Sequence, residues 1–136
     1  KRIGTALATG DVGYLDPAGY LHLLGRADRM IVCSAKNVYP EEVETVLGRH
    51  ADVDRAAVFG IDDPRRGKRL VAVVKPMPGR VLARAGLTAW CRRHLPRYKV
   101  PTRYVLLDDW PLTVSHKADL PRLQTWVDDG VLRPLP

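Results

Sequence analysis

The side chains that could do chemistry stand in three polar stretches of the chain. Asp11 lies in the first stretch, Arg26 and Asp28 lie in the second, and Lys117 lies in the third. A carboxylate offers paired acceptor oxygens, and an ammonium on a loop is a compact, mobile positive charge. Each residue alone is more typical of a turn or a solvated surface than of a binding site. Only their order and spacing can therefore indicate a function.

Several common catalytic and metal-binding patterns are absent from the sequence. It has no Gly-x-x-x-x-Gly-Lys loop, no Gly-x-Ser-x-Gly and no Cys-x-x-Cys. The four histidines lack the spacing of metal ligands, and Cys33 and Cys91 are too few for a disulfide framework or a four-cysteine zinc site. We therefore expect no metal site, two reduced thiols and a cytoplasmic location.

Six motifs follow one another in a fixed order. They are Thr9-Gly10-Asp11-Val12-Gly13-Tyr14, Gly19-Tyr20-Leu21, Gly25-Arg26-Ala27-Asp28-Arg29-Met30-Ile31, Asn37-Val38-Tyr39-Pro40-Glu41-Glu42-Val43-Glu44, Leu95-Pro96-Arg97-Tyr98-Lys99-Val100-Pro101 and Pro111-Leu112-Thr113-Val114-Ser115-His116-Lys117. The series, over about residues 5–127, closely resembles the C-terminal part of the adenylate-forming superfamily. That superfamily contains acyl-CoA synthetases, adenylation domains of peptide synthetases and luciferases. The fourth motif is more similar to acyl- or aryl-CoA ligases than to amino-acid-activating enzymes.

The resemblance implies a role for four residues in the activation of a carboxylate by ATP. Lys117 matches a lysine that reaches into the large domain and contacts the carboxylate, the α-phosphate and the ribose oxygens. Asp11 matches the acidic residue that binds both ribose hydroxyls, and Arg26 matches an arginine near the nucleotide. Asp28 matches the hinge about which the small domain swings between two working positions.

The resemblance also implies an acceptor half-reaction, in which the loop from Met30 to Val38 guides a thiol to the acyl-adenylate. The acceptor-path residues are Ser34, Ala35, Lys36 and Asn37. Relatives usually have Gly-Gly before a polar residue where this chain has Ser34-Ala35-Lys36, and a methyl group on residue 35 would narrow the path of a pantetheine arm. His116 replaces a glycine before the lysine, so it would stiffen that loop or add a titratable group. These departures bear on the acceptor more than on activation.

The positive charge of the chain is concentrated in one block. The chain has 22 Lys+Arg against 15 Asp+Glu, for a net charge of +7, and residues 64–107 carry twelve basic side chains and no acidic one. An anionic partner is therefore expected, and the phosphates of CoA or an acidic carrier protein fit the resemblance best. The docking candidates are Arg92, Arg93, Arg97 and Lys99. Nucleic acid is disfavoured, because the chain lacks an RNA-reading aromatic motif and a helix-turn-helix pattern.

A chain of 136 residues with 46% hydrophobic content suits one domain. The patterning predicts an α+β fold, a small mixed domain with a leading β-hairpin and a short central sheet flanked by helices. The predicted elements are a hairpin over residues 12–24, strands over 30–33, 55–61, 69–75 and 104–107, a helix from Pro40, and helices over 87–95 and 119–127. Residues 128–136 lack any period and are expected to form a loose tail.

The resemblance divides the chain into three parts. Residues 1–27 are assigned to the end of a large N-terminal domain and the approach to the hinge, 28–127 to the mobile C-terminal domain, and 128–136 to a tail. The chain begins at Lys1-Arg2-Ile3-Gly4 without Met, so we expect it to be part of a longer polypeptide and incomplete as a catalyst. No apolar run has the length of about 18–20 residues that a membrane span needs.

The expected function is that of the C-terminal domain of an AMP-forming acid–thiol ligase. Such an enzyme forms an acyl-adenylate from a carboxylic acid and ATP, and transfers the acyl group to CoA or to carrier-protein pantetheine. ATP would come with Mg²⁺, held mainly by the N-terminal domain that the chain lacks. Two alternatives stay open: an amine or another acceptor instead of the thiol, and a basic, non-enzymatic binding domain.

Overall fold

The first sheet of the described residues is small and antiparallel. The computed structural model of the protein describes residues 5–6 and 10–136; the other residues, including Thr9 of the first motif, lie outside the described part. The strands of this sheet, within that part, are β1 (Thr5–Ala6), β2 (Asp11–Leu15) and β3 (Leu21–Arg26). The predicted leading β-hairpin is thus confirmed, with β1 paired at its edge.

The turn between β2 and β3 is fixed by its own residues. The Asp16 carboxylate accepts hydrogen bonds from the backbone N–H groups of Ala18 and Tyr20, at 2.9 and 3.0 Å. Gly19 has a φ of +88°, a conformation that favours glycine over other residues.

A second, mixed sheet forms the body of the molecule. Its strands are β4 (Ile31–Cys33), β5 (Lys36–Val38), β6 (Val53–Asp63), β7 (Gly67–Pro76), β8 (Arg103–Leu106) and β9 (Arg133–Pro134). β7 pairs with β6 in antiparallel and with β8 in parallel orientation, and β9 is antiparallel to β8. The β4–β5 hairpin joins this sheet where Cys33 pairs with Gly67.

Three helices cover both faces of this sheet in the described part. They are α1 (Pro40–Gly48), α2 (Arg84–His94) and α3 (Leu120–Asp129). Alternate residues of β7 point to opposite faces, so Leu70 and Val74 pack with α1 and α2, whereas Val71 and Val73 pack with α3. Burial on both faces explains why residues 70–74 of β7 form an unbroken apolar run. The predicted α+β fold is confirmed.

The helix ends follow the signals in the sequence. α1 begins with Pro40, followed by Glu41 and Glu42 in its first turn, where negative charge is favourable. At the start of α3, the Asp119 carboxylate accepts a hydrogen bond from the Arg122 backbone N–H at 3.1 Å, as a helix cap. None of the helices among the described residues is long and apolar enough to cross a membrane.

The prediction of a loose tail after residue 127 is wrong. α3 continues to Asp129, and β9 then pairs with β8. The Leu135 side chain is buried, and its backbone N–H donates to the Tyr104 carbonyl at 2.9 Å. A strand of two residues is too short to show an alternation of apolar and polar side chains, so it can be recognised only from its pairing with another strand. The sequence patterning likewise missed β5, which is also short.

Candidate functional site

The first cluster of the candidate site brings together three residues that the sequence singled out. Asp11 and Arg26 are paired across β2 and β3, and Arg26 Nη1 lies 3.1 Å from Asp11 Oδ1. Arg26 Nε lies 3.5 Å from Asp28 Oδ1, so the guanidinium stands between two carboxylates. The side chains of Asp11 and Arg26 are 32% and 48% exposed. A carboxylate and a guanidinium are therefore presented side by side to solvent, a combination that suits hydroxyl and phosphate groups of a nucleotide.

Asp28 lies at the connection between the two sheets. β3 of the first sheet ends at Arg26, residues 27–29 form a single 3-10 turn, and β4 of the second sheet follows. The Asp28 side chain is 74% exposed and contacts Arg26 alone among the ion pairs of the described residues. A backbone rotation here would reorient one sheet against the other with little loss of packing at Asp28 itself.

The residue after Asp28 is anchored in the body of the domain. Arg29 donates to both carboxylate oxygens of Glu44, at 3.1 and 2.6 Å, and Glu44 also accepts the Val58 backbone N–H at 2.8 Å. Partial burial acts to lower the pKa of Arg29, but the hydrogen bonds and charge of Glu44, together with the charges of Glu41 and Asp28, outweigh burial and raise it. Arg29 is thus a fixed cation that ties the end of the turn to α1 and β6.

Lys117 closes a tight turn that is held by bonds within itself. The Thr113 backbone N–H donates to the Lys117 carbonyl at 2.7 Å, and the Lys117 N–H donates to Thr113 Oγ1 at 3.3 Å. Leu112 and Ala118 form an isolated antiparallel bridge at the base of the turn. Lys117 is exposed, so its ammonium group can reach a group outside this chain. We call residues 112–118 the lysine turn.

The acceptor-path residues form the tip of the β4–β5 hairpin. Cys33 pairs with Lys36, and Ser34 and Ala35 between them have φ values of +51° and +62°. Two consecutive positive φ values are typical of the type I′ hairpin turn, which favours Asn and Gly. The Ser34 backbone N–H donates to the Arg66 carbonyl at 2.8 Å, which fixes the tip against the β6–β7 turn. We call residues 33–36 the acceptor turn.

Asn37, the fourth residue of the predicted acceptor path, lies beyond this tip. It is in β5, where it pairs with Val32 of β4, and its side chain is exposed. The structure therefore keeps all four predicted residues on one small hairpin.

A basic cavity opens next to the acceptor turn. Its volume is about 520 Å³, and it is lined by seven cationic side chains and, among the described residues, by no carboxylate. The cations are Lys36, Arg66, Lys68, Arg69, Arg84, Arg92 and Arg97. Tyr98 also lines it, with Lys36 Nζ 4.6 Å from its ring centroid. We call this cavity the basic pocket; its charge and size suit a polyanionic small molecule.

The structure places the four predicted docking residues in different surroundings. Arg92 and Arg97 line the basic pocket, whereas Arg93, on the same helix as Arg92, does not. Lys99 is buried, and its Nζ lies 2.8 Å from Glu42 Oε2, so its charge is neutralised inside the domain. The docking role of these residues stays a prediction, and the pocket supports it for Arg92 and Arg97 only.

Sequence reasoning missed four cations of the basic pocket. Arg66, Lys68 and Arg69 come from the β6–β7 turn and the start of β7, and Arg84 is the first residue of α2. All four belong to the basic block, but the sequence does not indicate which of its twelve members converge. Their convergence depends on the pairing of β4 with β7 and on the docking of α2.

The described residues contain no group of three or more potential metal ligands. Cys33 and Cys91 are free and buried, and burial raises the pKa of both thiols. Neither thiol is therefore an activated nucleophile. The exposed ionic residues and the basic pocket remain as the groups that can act on a ligand.

Known proteins with similar sequences include CoA ligases that are much longer than this chain. The chain is 41% identical over 109 residues to a 2-succinylbenzoate–CoA ligase of Geobacillus kaustophilus, and the aligned part covers 80% of this chain and 22% of that protein. It is 39% identical over 125 residues to an uncharacterised acyl-CoA ligase of Bacillus subtilis, and the aligned part covers 92% of this chain and 25% of that protein. The chain thus spans about a quarter of the length of the curated relatives it matches.

Solved structures with the same fold include two kinds of enzyme. The o-succinylbenzoate CoA synthetase of Bacillus subtilis, in complex with its acyl-adenylate intermediate, is 36% identical with a TM-score of 0.79, over 87% of this chain and 24% of that one. The amide bond synthetase of Marinactinospora thermotolerans is 40% identical with a TM-score of 0.79, over 88% of this chain and 25% of that one.

A match to a sequence family covers more than half of the chain. Residues 42–117 match the AMP-binding enzyme C-terminal domain, and the match ends on the lysine that the motif order had singled out. The fold and the similarity to adenylate-forming enzymes agree with this match. This chain belongs to the AMP-binding enzyme C-terminal domain family.

Proposed function

We propose that this chain is the mobile C-terminal domain of an ATP-dependent carboxylic acid ligase that forms an acyl-adenylate and transfers the acyl group to a thiol. The observation that carries the proposal is the lysine turn, which presents exposed Lys117 at the end of the family match. The whole enzyme would require a large N-terminal domain, since the relatives are about four times as long.

In the first half-reaction, a carboxylate oxygen attacks the α-phosphorus of ATP. A bond forms between that oxygen and phosphorus, and the bond from phosphorus to the pyrophosphate oxygen breaks. Negative charge builds up on the oxygens of both reactants, and the Lys117 ammonium stabilises it. Asp11 accepts hydrogen bonds from the ribose hydroxyls, and Arg26 lies beside the nucleotide. Mg²⁺ would accompany ATP and would be held mainly by the N-terminal domain.

In the second half-reaction, the acceptor approaches along the acceptor turn after the domain has rotated about Asp28. A thiolate attacks the acyl carbon, and AMP leaves with the electrons of the carbon–oxygen bond. The basic pocket beside the turn supports an acceptor that carries phosphates, as CoA does, because seven cations line it. An acidic carrier protein with a phosphopantetheine arm is the larger partner with the same chemistry.

An amine acceptor is the second candidate. The similarity to an amide bond synthetase, at 40% identity, favours it, because such an enzyme joins an acid to an amine. Ser34 and Ala35 also add side chains where a thiol arm would pass close to the backbone. In this case AMP would leave after attack by the amine nitrogen, which loses a proton.

The test is to measure pyrophosphate release by the full-length protein with a panel of small carboxylic acids, and then to supply acceptors. We expect acid-dependent release of pyrophosphate, followed by AMP release and thioester formation with CoA. CoA, a phosphopantetheinylated carrier and simple amines are supplied side by side to separate the two candidates. No acid-dependent pyrophosphate release with any member of the panel would overturn the proposal.

A cytoplasmic location is also part of the proposal. It is supported by the two free, buried cysteines, which form no disulfide in the structure.

A further inference from the structure

The backbone next to Asp28 is held by a side chain from α1. We propose that Glu41 is a positioning residue that stabilises one of the two working positions of the domain, by accepting a hydrogen bond from the Arg26 backbone N–H. This inference rests on the hinge at Asp28 in the proposed function. It assigns a function to a carboxylate of the fourth motif to which the resemblance gave no role in catalysis.

The contact between Glu41 and the chain before the hinge is direct. Glu41 Oε2 accepts the Arg26 backbone N–H at 2.9 Å, across 15 residues of sequence. The other oxygen, Oε1, is buried and has no hydrogen-bond partner among the described residues. It lies so close to Gly25 that a Cβ on this residue would overlap it. Gly25 therefore allows the carboxylate to approach the backbone of β3.

The turn from Arg26 to Arg29 is thus held at both ends by α1, but by two different carboxylates. Glu41 binds the backbone of Arg26 before Asp28, whereas Glu44 binds the guanidinium of Arg29 after it. Arg29 Nη1 also lies 3.6 Å from Glu41 Oε2, so a partly buried cation orients the Glu41 carboxylate as well.

These contacts respond differently to a rotation about Asp28. Residues 1–27 would stay with the large domain, and α1 would move with residues 28–127. The Arg26–Glu41 bond crosses that boundary, so the rotation must break it. The bonds of Glu44 to Val58 and of Glu42 to Lys99 join residues on the moving side only, and they are kept.

A bond that exists in only one of two positions changes their population ratio. A hydrogen bond to a charged acceptor that is partly buried is strong enough to change such a ratio about tenfold. Glu41 would therefore set how long the domain stays in the position described here before it rotates. Its removal should favour the other position and the half-reaction that takes place there.

The experiment compares E41A, E41Q and E42Q in the full-length protein. E41A removes the acceptor, whereas E41Q keeps a carbonyl oxygen that can accept the Arg26 N–H. E42Q is the matched control, because Glu42 is the next residue of α1 and its bond with Lys99 Nζ joins two residues on the moving side. The first readout is hydrogen exchange of the Arg26 amide. The second is the ratio of the rates of acyl-adenylate formation and acyl transfer.

We expect the Arg26 amide to exchange about tenfold faster in E41A than in the wild type, with little change in E41Q and E42Q. We also expect the two half-reaction rates of E41A to change in opposite directions, so that their ratio shifts about tenfold. In E42Q the ratio should stay as in the wild type.

Two results would overturn the inference. One is an Arg26 amide that exchanges at the wild-type rate in E41A. The other is faster exchange together with an unchanged ratio of the half-reactions, which would make Glu41 a local contact without an effect on domain position. Failure of the proposed function is a separate result, since it shows as a wild-type protein that releases no pyrophosphate.

Discussion

The lysine turn and the acceptor turn are built differently, although both are exposed hairpin tips with left-handed residues. The lysine turn is closed by Thr113, Lys117 and the bridge below them, so its shape depends on residues close in sequence. The acceptor turn is held by the Arg66 carbonyl and stands beside the basic pocket. The lysine turn is thus stabilised by its own residues and presents a charge, whereas the acceptor turn is part of a surface formed by several elements.

The difference fits two chemical tasks. A lysine that must enter another domain benefits from a small, locally closed turn that keeps its shape when its surroundings change. A turn that guides an incoming acceptor benefits from fixed neighbours, because the acceptor must be oriented before it reacts. The predictions below test this division, from the largest expected effect to the smallest.

The largest effect is expected from K117A. Loss of the ammonium should lower the rate of acyl-adenylate formation about 10²–10³-fold, because the charge on the reacting oxygens is no longer stabilised. Acyl transfer from a supplied acyl-adenylate should be unchanged. Both rates are measured separately in the full-length protein. R122A, which removes another exposed cation beyond the lysine turn, is the control. Normal adenylate formation by K117A would remove the lysine turn from the mechanism.

A smaller effect is expected from the double reversal R92E/R97E. Two of the seven cations of the basic pocket change sign, so the KM for a phosphorylated acceptor should rise about tenfold or more while adenylate formation is spared. R93E is the matched control, since Arg93 is the neighbour of Arg92 and does not line the pocket. If R93E weakens acceptor use as much as R92E/R97E does, the pocket is not the docking site.

The substitution A35G should stabilise the domain. Ala35 has a φ of +62°, which costs an L-residue roughly 1–2 kcal/mol, whereas glycine adopts it freely and loses about 0.5–1 kcal/mol of chain entropy. The net gain in the free energy of unfolding should be about 0.5–1 kcal/mol, measured by urea denaturation. A35V, with a β-branched side chain at the same φ, should be destabilising. Equal free energies of unfolding for A35G and A35V would contradict the left-handed backbone conformation of residue 35.

The substitution H116G applies the same test to the lysine turn. His116 has a φ of +64°, and its backbone N–H donates to Thr113, so glycine should stabilise the turn by at most about 0.5–1 kcal/mol. Because the turn is closed by its own bonds, we expect adenylate formation to change less than threefold. A much larger change in that rate, with normal stability, would show that the His116 side chain acts on Lys117 directly.

Features that depend on neighbouring residues could be predicted from the sequence. The Asp16–Gly19 turn, Pro40 at the start of α1 and the Asp119 cap of α3 are all local signals, and the structure contains each of them. The apolar run of β7 was recognised for the same reason. The predicted hairpin over residues 12–24 brings the neighbourhoods of Asp11 and Arg26 together, but their direct pairing also depends on a register shift between Val12 and Gly13 that the sequence does not indicate.

Features that depend on distant pairing could not be predicted. Leu135 looked like part of a loose tail, yet it is buried against the sheet because β9 pairs with β8. Lys99 looked like a docking cation, yet it is buried beside Glu42, 57 residues away in sequence. Neither the burial of a charge nor its partner has a local pattern, because both depend on how α1 and the Pro96–Val100 segment pack.

The sequence by itself determined the order of the helices and longer strands, the family motifs and the place of Lys117 at the end of one of them. The tertiary structure decided which cations of the basic block share a pocket, and which carboxylate of α1 holds the backbone before Asp28. The physical reason is the separation in sequence between the residues that interact. Turns, caps and apolar periods are set by interactions within a few residues, whereas convergence of charges is set by packing between elements that are far apart in the chain.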